Sequence, residues 1–195
     1  PMKLNLRNRI LFPTLGLIIL VTLAISLISY LMASRSLHAS VQDNMETICH
    51  TSVQQIENWI SGQRDNLAVL AGQKTASLAL QDQPEAATVR NELSADLARM
   101  KGLYGFYEDI HLLDRTGLTR ASSSVTAIDK INVADRSYFK AAMTGTTVVS
   151  EVLASRSSGN PITVIALPVK SGDATVGVLI GVVDLHWFSS RFVAN

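Results

Sequence analysis

The stretch Thr175-Val176-Gly177-Val178-Leu179-Ile180-Gly181-Val182-Val183-Asp184-Leu185 decides the architecture. It is apolar at consecutive positions, not alternate ones, so a strand made of it is hydrophobic on both faces and belongs in the middle of a sheet that is covered on both sides. Just upstream, Lys170-Ser171-Gly172-Asp173-Ala174 reads as a turn, and Ile162 to Val169 as a second strand, which makes the pair a hairpin. Further upstream, Asp135 is positioned to cap a helix over Arg136 to Lys140, with Ala141 and Ala142 extending it and Gly145 closing it. Phe106 to Leu113 and Leu118 to Ser122, joined by Asp114-Arg115-Thr116-Gly117, form another hairpin. Two helical stretches, Thr75 to Gln81 and Pro84 to Met100, precede it. Antiparallel strands with segregated helices define an α+β domain.

Upstream of residue 74 the pattern changes twice. Ile10 to Ser34 carries no charge and is dominated by Leu, Ile, Val and Ala. At about 25 residues it exceeds the roughly 20 that cross a bilayer, and it is too long for the apolar part of a cleaved leader. Lys3, Arg7 and Arg9 precede it and hold the N-terminus in the cytoplasm by the positive-inside rule, which exports the rest of the chain. Then Leu37, Val41, Met45, Ile48, Ser52, Ile56, Trp59, Gln63, Leu67 and Leu70 recur every three or four residues, the period of an amphipathic helix. This stripe suits packing on the chain's own domain or a seam with a second copy, and a homodimer is the expected assembly. The expected organisation is therefore a cytoplasmic N-terminus (1–9), a transmembrane helix (10–34), a stalk helix (35–73), a sensor module (74–185) and the start of a linker (186–195). The location is the bacterial cytoplasmic membrane, with the module outside the cytoplasm.

Composition excludes several classes. A formal net charge of +1 with scattered Lys and Arg gives no basic face for nucleic acid. Cys49, the single cysteine, cannot form an internal disulfide and has no second thiol or metal-ligand spacing beside it. His38, His50, His111 and His186 lie far apart, which argues against a metal or haem, and no cofactor is expected. No nucleophile elbow, phosphate loop or paired-carboxylate motif occurs, so the segment is not expected to be an enzyme.

Asp135-Arg136-Ser137-Tyr138-Phe139-Lys140-Ala141-Ala142, then Gly145, Ser150-Glu151-Val152, Ser158-Gly159-Asn160-Pro161, the strand Val164 to Val169, and Val176 to Leu185 together resemble the membrane-distal PAS-like module of Cache sensor domains. Such modules are found in methyl-accepting chemotaxis receptors, sensor histidine kinases and related receptors. The basic N-terminus, spanning helix and stalk match the layout of the double kind, so the resemblance extends over the whole chain. It implies the N-terminal part of a longer receptor, with a second PAS-like module beyond Asn195.

The resemblance also implies a ligand site. In amino-acid-sensing members an arginine and an aromatic two residues later hold the ligand carboxylate, and Arg136 and Tyr138 match that pair. Asp184 matches the aspartate that holds the amine, and Phe139 stands where those members have a tyrosine. Tyr138 replaces their usual tryptophan, Ile131 falls where a tyrosine often precedes the arginine, and Leu153 falls near the place of the amine-binding tyrosine. The implied ligand is a small carboxylate-bearing metabolite or amino acid, with the carboxylate half better matched than the amine half. Other roles for these residues remain open on the sequence. Arg136 could pair with an acidic neighbour, Tyr138 and Phe139 could be core aromatics, and Asp184 could cap the helix that begins near His186.

Overall fold

The computed structural model describes residues 15–17, 20–23, 25–27, 29–30 and 53–192. The chain divides into two compact units, Pro1–Gln54 and Gln55–Asn195. In the first, the described residues between 15 and 30 are helical with exposed side chains such as Leu17 and Leu20. Among the described residues no helix is long and apolar enough to cross a membrane. Much of the expected span Ile10 to Ser34 lies outside them, as do Cys49 and the stripe from Leu37 to Ser52.

In the second unit, helix α1 (53–71) turns the rest of that stripe onto its own domain: Gln63 and Leu67 are buried, and Trp59 and Leu70 pack against the same core. Two helices follow, α2 (Lys74–Ala79) and α3 (Ala86–Tyr104). Gly105 ends α3 in the left-handed conformation, φ 70°, where its N–H reaches the Lys101 carbonyl. The strands are β1 (Tyr107–Asp114), β2 (Thr119–Ser122), β3 (Val148–Val149), β4 (Leu153–Ala154), β5 (Pro161–Ser171) and β6 (Ala174–Asp184), with helix α4 (Ser137–Met143) between β2 and β3 and α5 (Leu185–Phe192) at the end. The sheet is antiparallel in the order β2-β1-β6-β5-β3, and β4 pairs separately with β5. The apolar stretch is central, as its two-faced hydrophobicity requires.

Alternation along β6 divides the core in two. Leu179 and Val183 face α1, α2 and α3, against Leu67, Ala76, Leu93 and Leu97. Val178, Ile180 and Val182 face α4, against Tyr138, Phe139 and Ala142. Gly181 lies on the first face because no side chain fits there: a Cβ would stand 2.7 Å from Leu67 Cδ1 and 2.8 Å from Tyr107 Cε1. On β1 the register slips between Tyr107 and Asp109, which pair with Val183 and Val182, so Glu108 is an inserted, bulged residue.

Where α1, β1 and α5 meet, aromatic rings cluster. Trp59 stands edge-on to Phe106 at 4.8 Å between ring centres and stacks with Trp187 at 6.1 Å. Phe106 lies 5.2 Å from Trp187 and 4.3 Å from Tyr107. Such pairs add roughly 0.5–1.5 kcal/mol each beyond the area they bury.

One local expectation is corrected. The N-cap of α4 is Arg136, in extended conformation and without a side-chain cap bond, and Asp135 does not cap the helix. Its carboxylate instead meets Arg156 at 2.5 Å. A guanidinium in reach attracts a carboxylate more strongly than a neutral N–H does.

Candidate ligand-binding site

On the α4 face of the sheet, a small cavity opens between the sheet, the loop that leads into α4, and the segment carrying β4. Its floor is apolar, from Ile162, Val164, Ile180 and Val182 on β5 and β6, with Ile131, Val133 and Leu153 on the sides. Its polar lining is Arg136, Tyr138, Glu108, His111, Ser155, Arg156 and Ser157. Apolar walls with a few convergent polar groups are the usual make-up of a small-molecule site. The cavity measures about 30 Å³. That suffices for a water or two, so a metabolite enters only if the walls part.

Arg136 and Tyr138 come from the first residues of α4 and both reach this cavity. The Arg136 guanidinium donates to the Ala154 carbonyl at 3.3 Å. It has no carboxylate within salt-bridge distance among the described residues. Burial raises the Tyr138 phenol above its ordinary pKa, against the pull of the Arg136 and Arg156 guanidiniums, so the ring offers a neutral hydroxyl. Phe139 is buried in the α4 core and does not line the cavity. Asp184 extends the alternation of Ile180 and Val182, and so shares their face at the end of β6, opposite Ile162. Its Oδ1 accepts the His186 N–H at 2.8 Å, where it caps the start of α5. It is not among the lining residues.

Three cavity residues escape a reading of the sequence. Arg156 crosses from the β4 segment to the α4 loop, donating to Asp135 at 2.5 Å and to the Asn132 carbonyl. Glu108 accepts from the Ser155 hydroxyl at 2.5 Å and from the Ser158 hydroxyl at 3.1 Å. His111, paired across the sheet with Ile180, is buried and shares a 2.8 Å hydrogen bond with Ser122 Oγ. Burial lowers its pKa to about 4, opposed by the Asp109 carboxylate and assisted by the Lys101 charge. The ring is therefore neutral at pH 7. Behind it, Asp109 is held by Lys101 Nζ at 2.9 Å and by Ser123 Oγ at 3.0 Å. No group of three or more His, Cys, Asp or Glu side chains suited to a metal occurs among the described residues.

A sheet covered on both faces, with a cavity between its centre and a short helix, defines a PAS-like module. The comparison with protein families specifies which kind. The Cache domain family matches residues 33–194, and the chain belongs to that family. The fold is similar to the sensor domain of the V. cholerae histidine kinase DctB, at 19% identity and a TM-score of 0.68 over 79% of this chain and 60% of that one. It is also similar to the ligand-binding domain of the Pseudomonas aeruginosa PAO1 amino acid chemoreceptor PctC in complex with GABA, at 20% identity and a TM-score of 0.60 over 78% and 68% of the two chains. The sensory domain of the Campylobacter jejuni chemoreceptor Tlp3 with isoleucine bound matches at 13% identity and 0.64, over 80% and 64%. These identities speak for the fold alone. The chain spans 60% of the DctB sensor domain. No curated protein matches it.

Proposed function

We propose that the chain is the extracytoplasmic sensing region of a transmembrane chemotaxis receptor and binds a small carboxylate-bearing metabolite in the cavity beside Arg136. One observation carries this reading: Arg136 lines an apolar-floored cavity, donates to a main-chain carbonyl and has no carboxylate within salt-bridge distance among the described residues. A planar guanidinium meets a carboxylate through two parallel hydrogen bonds, and the Tyr138 hydroxyl at the same wall can add a third. The solved chemoreceptor domains with GABA and isoleucine bound, and that of the Pseudomonas fluorescens receptor CtaA with L-serine, are consistent with a ligand of this class.

Because the cavity is too small for such a ligand, binding selects a state with parted walls, and the population shift is the signal. In this reading residues 1–9 are cytoplasmic, 10–34 cross the membrane, 35–73 form the stalk of a homodimer, 74–185 sense the ligand, and 186–195 start the connection onward. The likeness to the sensor domain of a histidine kinase favours a second reading, in which the same module feeds a kinase.

The test is thermal denaturation of the 195-residue chain in detergent, with L-amino acids, GABA and C4-dicarboxylates added. A ligand at a hundred times its Kd stabilises by about 3 kcal/mol. Arg136→Ala is expected to lose that stabilisation. If Arg136→Ala bound a confirmed ligand as tightly as the parent, the pocket assignment would be wrong.

A further inference from the structure

A second, larger cavity lies at the other end of the sheet, on the side of α2 and α3, where the β1–β2 turn and the end of β5 meet the loop between those two helices. It measures about 580 Å³, a volume usual for a small-molecule site, and shares no lining residue with the cavity beside Arg136. Its apolar floor, Leu80 and Val176, packs against the α1–α3 core. A metabolite has room here with the walls as they stand.

Most of the remaining lining consists of donors that lack an anion. Arg120 is neutralised, by Asp129 at 3.2 Å and Asp114 at 4.0 Å. Asp114 is itself occupied: its Oδ1 accepts from the Thr116 N–H at 2.9 Å, the Thr116 hydroxyl at 2.6 Å and the Leu118 N–H at 3.1 Å, which fixes the β1–β2 turn. Arg90 and Arg115 differ from Arg120. Arg90, half-buried, donates from Nε to the Ala79 carbonyl at 2.6 Å and from Nη2 to the Gln81 carbonyl at 3.2 Å. Those bonds tie α3 to the end of α2, but they bring no negative charge and leave Nη1 without a partner among the described residues. Arg115, held out by the fixed turn, has neither a hydrogen bond nor an ion pair among the described residues. The amides of Gln81 and Gln83 and the Ser171 hydroxyl are unbonded in the same sense. One carboxylate, Asp82, opposes them.

We propose that this cavity is a second ligand site, separate from the one beside Arg136, for a small anion carrying at least two oxyanion groups, carboxylate or phosphate. Arg90 and Arg115 come from different elements, a helix and a turn, and each guanidinium can take one oxyanion through its N–H donors. Two separate cations call for two anionic groups. A monoanion engages only one of them and is repelled by Asp82, so it binds weakly.

The experiment is calorimetric titration of the 195-residue chain carrying Arg136→Ala, which disables the other cavity, with citrate, with pyrophosphate and with acetate as the monoanion. At least one polyanion is expected to bind about tenfold or more tighter than acetate, the range of a hydrogen bond to a charged group. The tighter of the two distinguishes a carboxylate from a phosphate ligand. Adding Arg115→Ala is expected to weaken the polyanion about tenfold or more on the same grounds. Lys140→Ala, which removes the same charge from the exposed side of α4, is expected to leave it unchanged. Asp82→Asn is expected to tighten it. The proposal is overturned if neither polyanion binds tighter than acetate, or if Arg115→Ala and Lys140→Ala weaken binding equally, which is attraction to overall charge alone. A polyanion that binds the parent and not Arg136→Ala occupies the first cavity and overturns the proposal too, while leaving the reading of Arg136 intact.

Discussion

Acidification should destabilise this domain through His111. The imidazole is 3% exposed and its pKa is lowered by burial from 6.5 to about 4. The unfolded chain takes up a proton near pH 6.5, and the folded chain resists doing so until about pH 4. In that window the unfolded state binds more protons, so stability rises with pH. The contribution is complete above about pH 6.5 and drains away as the pH falls from there through about 4. At about 1.4 kcal/mol for each tenfold difference in proton affinity between the two states, the loss is roughly 3 kcal/mol, with a limiting slope of about 1.4 kcal/mol per pH unit. For a domain of this size that is a fall of about 10 °C in Tm. The assay is thermal and urea denaturation between about pH 7.5 and about pH 3, a range chosen to bracket the titration, of the parent and of His111→Gln, whose amide can keep the bond to Ser122 and does not titrate. Other titrating groups cancel in the difference. The parent is expected to lose stability with the steeper slope below about pH 6.5. Parallel profiles for the two chains would show that His111 is not held neutral by its surroundings.

Two glycines should differ sharply in their tolerance of a methyl group. A Cβ at Gly177 would collide with the Leu113 carbonyl oxygen in the neighbouring strand, so Gly177→Ala is expected to yield little folded protein in a solubility and circular-dichroism assay. Gly181→Ala meets the movable side chains of Leu67 and Tyr107 and should cost about 1–3 kcal/mol in urea denaturation. Removing the cation from the partly buried Lys101–Asp109 pair by Lys101→Met should destabilise by about 3 kcal/mol, read the same way, because Asp109 would keep only the Ser123 hydroxyl.

The sheet was legible because its signals are local. The unbroken apolar run of β6 could only be central, and Lys170 to Ala174 names its own turn. Helices α2 and α3 lie within a few residues of the stretches Thr75 to Gln81 and Pro84 to Met100, since a proline at the start marks the second. The two-residue strands β3 and β4 were not legible, because no periodicity exists over two residues. Arg136 and Tyr138 were found through a motif of neighbouring residues, and both reach the cavity. Glu108 was hidden for a different reason. Its partners lie 47 and 50 residues along the chain, and the bulge that aims it breaks the alternation by which a strand's faces are assigned. Arg156 likewise acquires meaning only from Asp135, 21 residues upstream.

Both tryptophans of the chain, Trp59 and Trp187, sit in the aromatic cluster where the first helix of the domain meets the last. The domain thus carries an optical gauge at the point where its incoming and outgoing helices touch. Indole emission depends on neighbouring rings and on solvent access, so unlabelled protein reports any sliding of α5 against α1 as a change in colour or brightness. Because no tryptophan lines the cavity beside Arg136, such a change would be a remote readout of the cavity and not a contact with the molecule that fills it.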